Sequence, residues 1–172
     1  MALAHLSFMW ASQAPPSPSS APDLMEFKQA LPDGMSRSLE KTEASMVVKG
    51  NNALVRYTLY AKFKFVYQIN GERSPVRLGQ PGAYKFLVRL RTNDDPGNVL
   101  QFFKVDGIKG KRFLAPPVQN KKSDNERPFV SERAGDLVNI GVGRLEPGDY
   151  CLGLSYTNEA FCFGIDPTEK QP

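Results

Sequence analysis

Histidine is nearly missing from this chain. Among 172 residues there is one, His5, at the N-terminal extreme. Tryptophan is also single, Trp10, and cysteine occurs twice, at 151 and 162. If the N-terminal end is removed, the remaining chain has no imidazole. A Ser-His-Asp triad, a Cys-His pair and His-ligated zinc are then all excluded. Histidine is the commonest general acid–base residue, so its absence argues against an enzyme. It does not touch carboxylate-only chemistry of the glycosidase kind. No apolar run approaches the roughly 18 residues that a membrane helix needs. Neither charge sign dominates. The net charge is +4 with a pI near 9.1, mildly basic and by itself no mark of a polyanion partner.

What the chain does have is alternation. In residues 54–69, LVRYTLYAKFKFVYQI, every second position from Val55 to Ile69 is apolar, while Arg56, Thr58, Lys62, Lys64 and Gln68 fall between. Strand side chains alternate between faces, and a helix would scatter these residues around its circumference. The stretch reads as a strand with one buried and one wet face, bent or bulged near Ala61 or made of two strands that meet there, because strands average about 5–6 residues.

The remaining segments follow the same pattern. Residues 84–90 put Tyr84, Phe86, Val88 and Leu90 on one face. Strands are also expected at 43–49, 99–105 and 136–142, with a weak one at 24–31 and a closing hairpin of 150–156 with 160–166. Asn70-Gly71 reads as a hairpin turn, with GERSPVRL as its return arm and Pro75 confining that arm to an edge or bulge. Residues 106–134 read as polar and irregular. About eight or nine short strands and no long helix predict one all-β sandwich, immunoglobulin-like or jelly-roll-like.

Domain organisation follows from composition. Residues 1–14 resemble the end of an export signal, with an apolar stretch before Ser12-Gln13-Ala14, although no Lys or Arg precedes it. A full-length chain retained in the cytoplasm is the alternative. Residues 15–23, PPSPSSAPD, form a Pro/Ser linker that cannot pack. The sandwich is expected over 24–166, with a short tail at 167–172.

The two cysteines sit on opposite arms of the closing hairpin. A four-residue loop at 155–158 sets Cys151 opposite Cys162. A two-residue loop at 158–159 sets Cys162 opposite Ser155 and separates the thiols by about 13 Å, too far to bridge. A domain of this length does not require a bridge, so two small buried thiols are the favoured reading.

Candidate chemistry is sparse. NDDPGN at 93–98 holds oxygen ligands for calcium but lacks EF-hand spacing, and the same residues make turns, which is the favoured reading. GIKGK at 107–111 lacks phosphate-loop spacing. Basic residues at Lys109, Lys111, Arg112, Lys121 and Lys122 interleave with phenylalanines, a pattern that tracks polyanions, diluted here by Asp106, Asp124 and Glu126. With Arg56, Lys62 and Lys64 they make the candidate binding surface. Nucleic acid is disfavoured as a partner, and no metal or cofactor is indicated.

The segment NGERSPVRL at 70–78 and the ending PGDYCLGLSYTNEAFCFGID resemble a group of bacterial β-rich domains of unassigned function. Those domains carry a G-E-x-S-P-x-x-L arm after a strand and an F-G-[IV]-D closing strand, and they often follow an export signal. The resemblance implies fold and carries no catalytic residue. The expectation is a non-catalytic binding or structural module of a bacterial envelope, periplasmic or secreted, meeting an envelope protein or surface polymer. A carboxylate-only hydrolase and a weak polyanion binder are the alternatives.

Overall fold

In the computed structural model, residues 22–49, 64–114 and 125–168 are described. The 1–14 segment, the linker as far as residue 21, the bend near Ala61, and Arg56, Lys62, Lys121 and Lys122 lie outside them. Twelve strands and one helical turn are present among the described residues. In chain order they are β1 (Phe27–Ala30), β2 (Ser36–Ser38), β3 (Glu40–Glu43), β4 (Ser45–Lys49), β5 (Lys64–Asn70), β6 (Tyr84–Arg89), α1 (Pro96–Val99), β7 (Leu100–Ile108), β8 (Lys111–Leu114), β9 (Val130–Ala134), β10 (Leu137–Val142), β11 (Gly148–Leu154) and β12 (Glu159–Ile165).

The strands form two antiparallel sheets, ordered β2-β1-β6-β10-β9 and β3-β12-β11-β7-β8-β5-β4. The first and last strands of the larger sheet, β3 and β4, are separated in sequence by Ala44 alone. One extended stretch therefore lies along β12 with its first half and along β5 with its second. That continuity curls the seven-stranded sheet nearly into a barrel, with one wall packed on the flatter five-stranded sheet. The all-β sandwich is as the alternation predicts, with more and shorter strands and with one layer rolled up.

The shared wall explains why β11 and β12 read as near-continuous apolar runs. Tyr150, Leu152, Phe161, Phe163 and Ile165 face the five-stranded sheet and meet Phe27, Phe86, Val88, Val138 and Ile140. Ring centroids lie 4.9 Å apart for Phe86–Phe163 and 5.1 Å for Phe27–Phe161. Each fully buried ring of this kind contributes roughly 1.5–3 kcal/mol through area removed from water. The opposite face of the wall, with Cys151, Ala160, Cys162, Phe103, Val105 and Ile69, fills the barrel.

Two expectations fail. Asn70-Gly71 does not start a hairpin, because both edges of β5 are already occupied, by β4 and by β8. The chain leaves instead to the end of β12, where Arg77 bridges Gly164 in parallel. Residues 106–134 are not irregular throughout: they contain the end of β7, all of β8 and all of β9. Lys109 and Gly110 both have positive φ, 50° and 76°, the conformation of a tight two-residue hairpin turn between β7 and β8. NDDPGN becomes the α1 turn, with the Asp95 carboxylate accepting from the Gly97 amide at 3.1 Å.

Candidate functional site

The preferred reading of two free thiols is overturned: Cys151 and Cys162 are bridged. They stand directly opposite in the β11–β12 register, with Cα atoms 4.1 Å apart. The register is the one that a loop at 155–158 produces. The bridge lies inside the barrel beside Phe103 and Ala160. Next to it, Tyr67, Gln101, Phe103 and Asn158 line a cavity of about 40 Å³. That holds about two or three waters and no larger ligand.

Arg112 leaves the candidate binding surface. It is fully buried, inside the barrel wall. Its Nη1 and Nη2 donate to the two oxygens of Glu40 at 2.8 and 2.9 Å, and Nε and Nη2 donate to the carbonyls of Gly71 and Asn70 at 3.1 Å. A buried guanidinium demands such saturation, and a bidentate carboxylate is its best partner. The pairing Ile69↔Arg112 aims the side chain to the barrel side, where Lys111 one residue earlier points out to solvent. Of the remaining basic candidates, Lys109 and Lys111 are exposed around the β7–β8 turn, and Lys64 stands opposite Lys49 at the start of β5.

At the far end of the shared wall, the two motifs of the family resemblance meet. Arg77, from NGERSPVRL, donates through Nη1 to Asp149 at 3.0 Å, through Nε to Asp166 at 2.9 Å and through Nη2 to the Ile165 carbonyl at 3.0 Å. Asp149 also accepts from the Ser74 amide at 2.9 Å. Gly164 is glycine because a Cβ there would overlap the Arg77 guanidinium. This cluster fastens the 74–79 segment across the end of β12. A single arginine thus engages two carboxylates, Asp149 and Asp166.

Other ionisable groups serve the frame. Lys41 is raised above its ordinary pKa chiefly by its hydrogen bond to Glu159, 2.8 Å away. Tyr84, Tyr150 and Tyr156 are raised first by burial, with the Asp94 carboxylate adding to the effect at Tyr156.

Clefts also open on the sandwich, and one of them lies at an end of the five-stranded sheet. It measures about 520 Å³ and lies where β1 and β6 end, between the 29–32 and 83–85 segments. Gln29 lines it and is 93% buried, with a relative exposure of 7%. Sequence reading passes over Gln29: alternation in FKQA puts it on the face of Phe27, but a polar side chain there reads as a break in the apolar pattern rather than as a buried position.

Compared with protein-family models and with curated proteins, the chain matches none.

Proposed function

We propose that the chain is a non-catalytic binding or structural module of a bacterial cell envelope, working outside the reducing cytoplasm. The observation that carries this reading is the Cys151–Cys162 bridge inside the barrel. Disulfides persist in oxidising compartments and are rare in the cytosol. The export-like composition of residues 1–14 and the Pro/Ser linker agree with that compartment. The paired charged groups support a non-catalytic role, because the buried Arg112 and the partly buried Glu40, Arg77 and Asp149 are consumed in holding strands together. Asp149 and Asp166 are one place where a carboxylate-only hydrolase could work, since one arginine brings them together. Both are acceptors of Arg77, and neither lines the barrel cavity or the β1–β6 cleft.

The test is the intact mass and cell fraction of the protein from its native host, with and without reduction. An envelope fraction that gains the mass of two hydrogens on reduction is expected. A cytoplasmic chain with both thiols free would overturn the reading.

A further inference from the structure

The five-stranded sheet ends on β2 and β9, and the two strands end it differently. β2 is only three residues long, and Arg37 ties it to the Arg77 carbonyl at 3.0 Å. β9 is longer and lies open. It pairs with β10 from Val130 to Ala134 without a bulge, and its other edge meets no described strand. Its first residue, Val130, is 74% exposed. A free edge is a row of unpaired N–H and C=O groups that templates a further strand, so edges are normally guarded by Lys, Pro, a bulge or shortness. VSERA carries no Lys and no Pro.

The side chains say which strand would fit. Alternation puts Val130, Glu132 and Ala134 on the outer face, beside Gly141, Asn139 and Leu137 of β10. Arg133, on the other face, is engaged: its Nη1 donates to the Thr92 carbonyl at 2.8 Å, and its Nη2 to those of Arg91 and Asp94 at 3.1 and 2.7 Å. Glu132 is exposed at the middle of the edge and has no hydrogen bond or ion pair among the described residues. At its Val130 end the edge opens on an apolar groove of about 420 Å³, lined also by Phe129 and the bare backbone of Gly141 and Gly143. A second copy fits this edge poorly. Directly opposite residues share a face, so two-fold pairing of β9 with itself must centre on one residue. Centred on Glu132 or on Arg133, it sets like charges against each other, which destabilises. Centred on Ser131, it lays Glu132 of each copy against Val130 of the other.

We propose that β9 takes up an extended segment of another envelope protein as an added strand, with an apolar-x-basic-x-apolar pattern: the basic side chain meets Glu132, and the apolar ones meet Val130 and Ala134. A row of main-chain donors and acceptors at strand spacing is matched by extended polypeptide, and main-chain pairing supplies the affinity of such strand addition. The unpaired carboxylate sets the sign of the segment's central charge, and the apolar residues on either side of it set the register. The proposal names the partner of the binding-module reading and rests on that reading for the partner's place in the envelope, whereas the edge pairing does not depend on the compartment.

The test is a titration of the ¹⁵N-labelled full chain with the peptide acetyl-Thr-Val-Thr-Lys-Thr-Val-Thr-amide and with its counterpart that has Glu in place of Lys. Both read alike in either direction, so strand polarity does not change the pattern. The Lys peptide is expected to shift the amides of residues 130–134 and leave those of 36–38 unmoved. It is expected to bind about fivefold more tightly than the Glu peptide, the size of one cross-strand charge pair. Glu132→Lys, at an exposed position, is expected to reverse that preference. Val130→Lys supplies the missing guard; it is expected to weaken the Lys peptide several-fold and serves if Glu132→Lys does not fold. Amides unmoved by either peptide, equal shifts at 36–38, or a preference that survives Glu132→Lys would overturn the proposal. So would parent affinity in Val130→Lys, or self-association of the free chain that Val130→Lys abolishes. An exported, bridged chain blind to both peptides loses the edge and keeps the envelope reading. A cytoplasmic, unbridged chain that binds the Lys peptide does the reverse.

Discussion

The two sides of the β11–β12 wall are built by different means. Its outer side carries a row of stacked rings, Phe102, Tyr150 and Phe163, 5.7–6.3 Å apart, and meets the five-stranded sheet through the tilted pairs Phe27–Phe161 and Phe86–Phe163. Among the described residues, its inner side carries a disulfide, and the barrel wall beyond it a bidentate ion pair between β8 and β3. The difference follows from geometry. Two facing sheets leave a layer about 10 Å thick that large side chains fill. A small curled sheet leaves a narrow interior, where small residues and cross-strand links replace area. Hydrophobic burial holds the layers together, and specific links hold the barrel closed.

That contrast predicts where the protein breaks. Phe163 contacts both Phe86 and Tyr150 and is fully buried, so Phe163→Ala should have the largest effect, about 4 kcal/mol. Urea unfolding of parent and variant measures it, and a loss below about 1 kcal/mol would show that the rings are not the main support. In the barrel, Glu40→Ala should cost about 3 kcal/mol, because it strands the buried Arg112 charge. The double change Arg112→Met with Glu40→Leu should recover most of that loss, since apolar replacement of a buried pair is often neutral. If the double variant is as weak as the single one, the ion pair specifies the barrel rather than merely occupying it.

The outer side of the wall is the one that sequence exposes. Phe86, Val88, Val138 and Ile140 alternate with polar or half-exposed residues, and Tyr150, Leu152, Phe161 and Phe163 fall on their expected faces, because period-two burial is local information. The inner side is hidden. Arg112 follows Lys111 in a basic run, and only the long-range pairing with β5 turns one inward and the other out. Its partner Glu40 lies 72 positions away. The continuity of β3 and β4 is likewise invisible in EKTEASMVVK, where good helix formers compete with weak alternation. The cysteine bridge lies between these cases: sequence reduces it to two registers, and loop geometry selects the one that bridges.

Removing that bridge is the third test. Cys151→Ala with Cys162→Ala should cost about 2–3 kcal/mol, the chain-entropy value for a sequence separation of 11. The loss should appear as faster amide exchange in β11, β12 and β3, with the rings of the five-stranded sheet undisturbed. If exchange rises equally in β6 and β10, the two sides of the wall unfold as one unit and the division of labour fails.

The smallest effect is alkaline. Tyr84 and Tyr150 belong to the inter-sheet core, and burial raises both above the ordinary phenol value near 10. The folded state therefore holds these protons more tightly than the unfolded chain does. By linkage, their contribution is fully present below about pH 10 and is lost as pH rises through the folded values. Urea midpoints measured from about pH 8 to 11 should thus fall above 10, and Tyr150→Phe should flatten the fall. Lys41, raised by Glu159, would drift in the same sense. Lys41→Gln separates the two: a slope unchanged in that variant assigns the alkaline loss to the aromatic layer, and a slope abolished by it moves the sensitivity to the exposed Lys41–Glu159 pair on the β3–β12 edge.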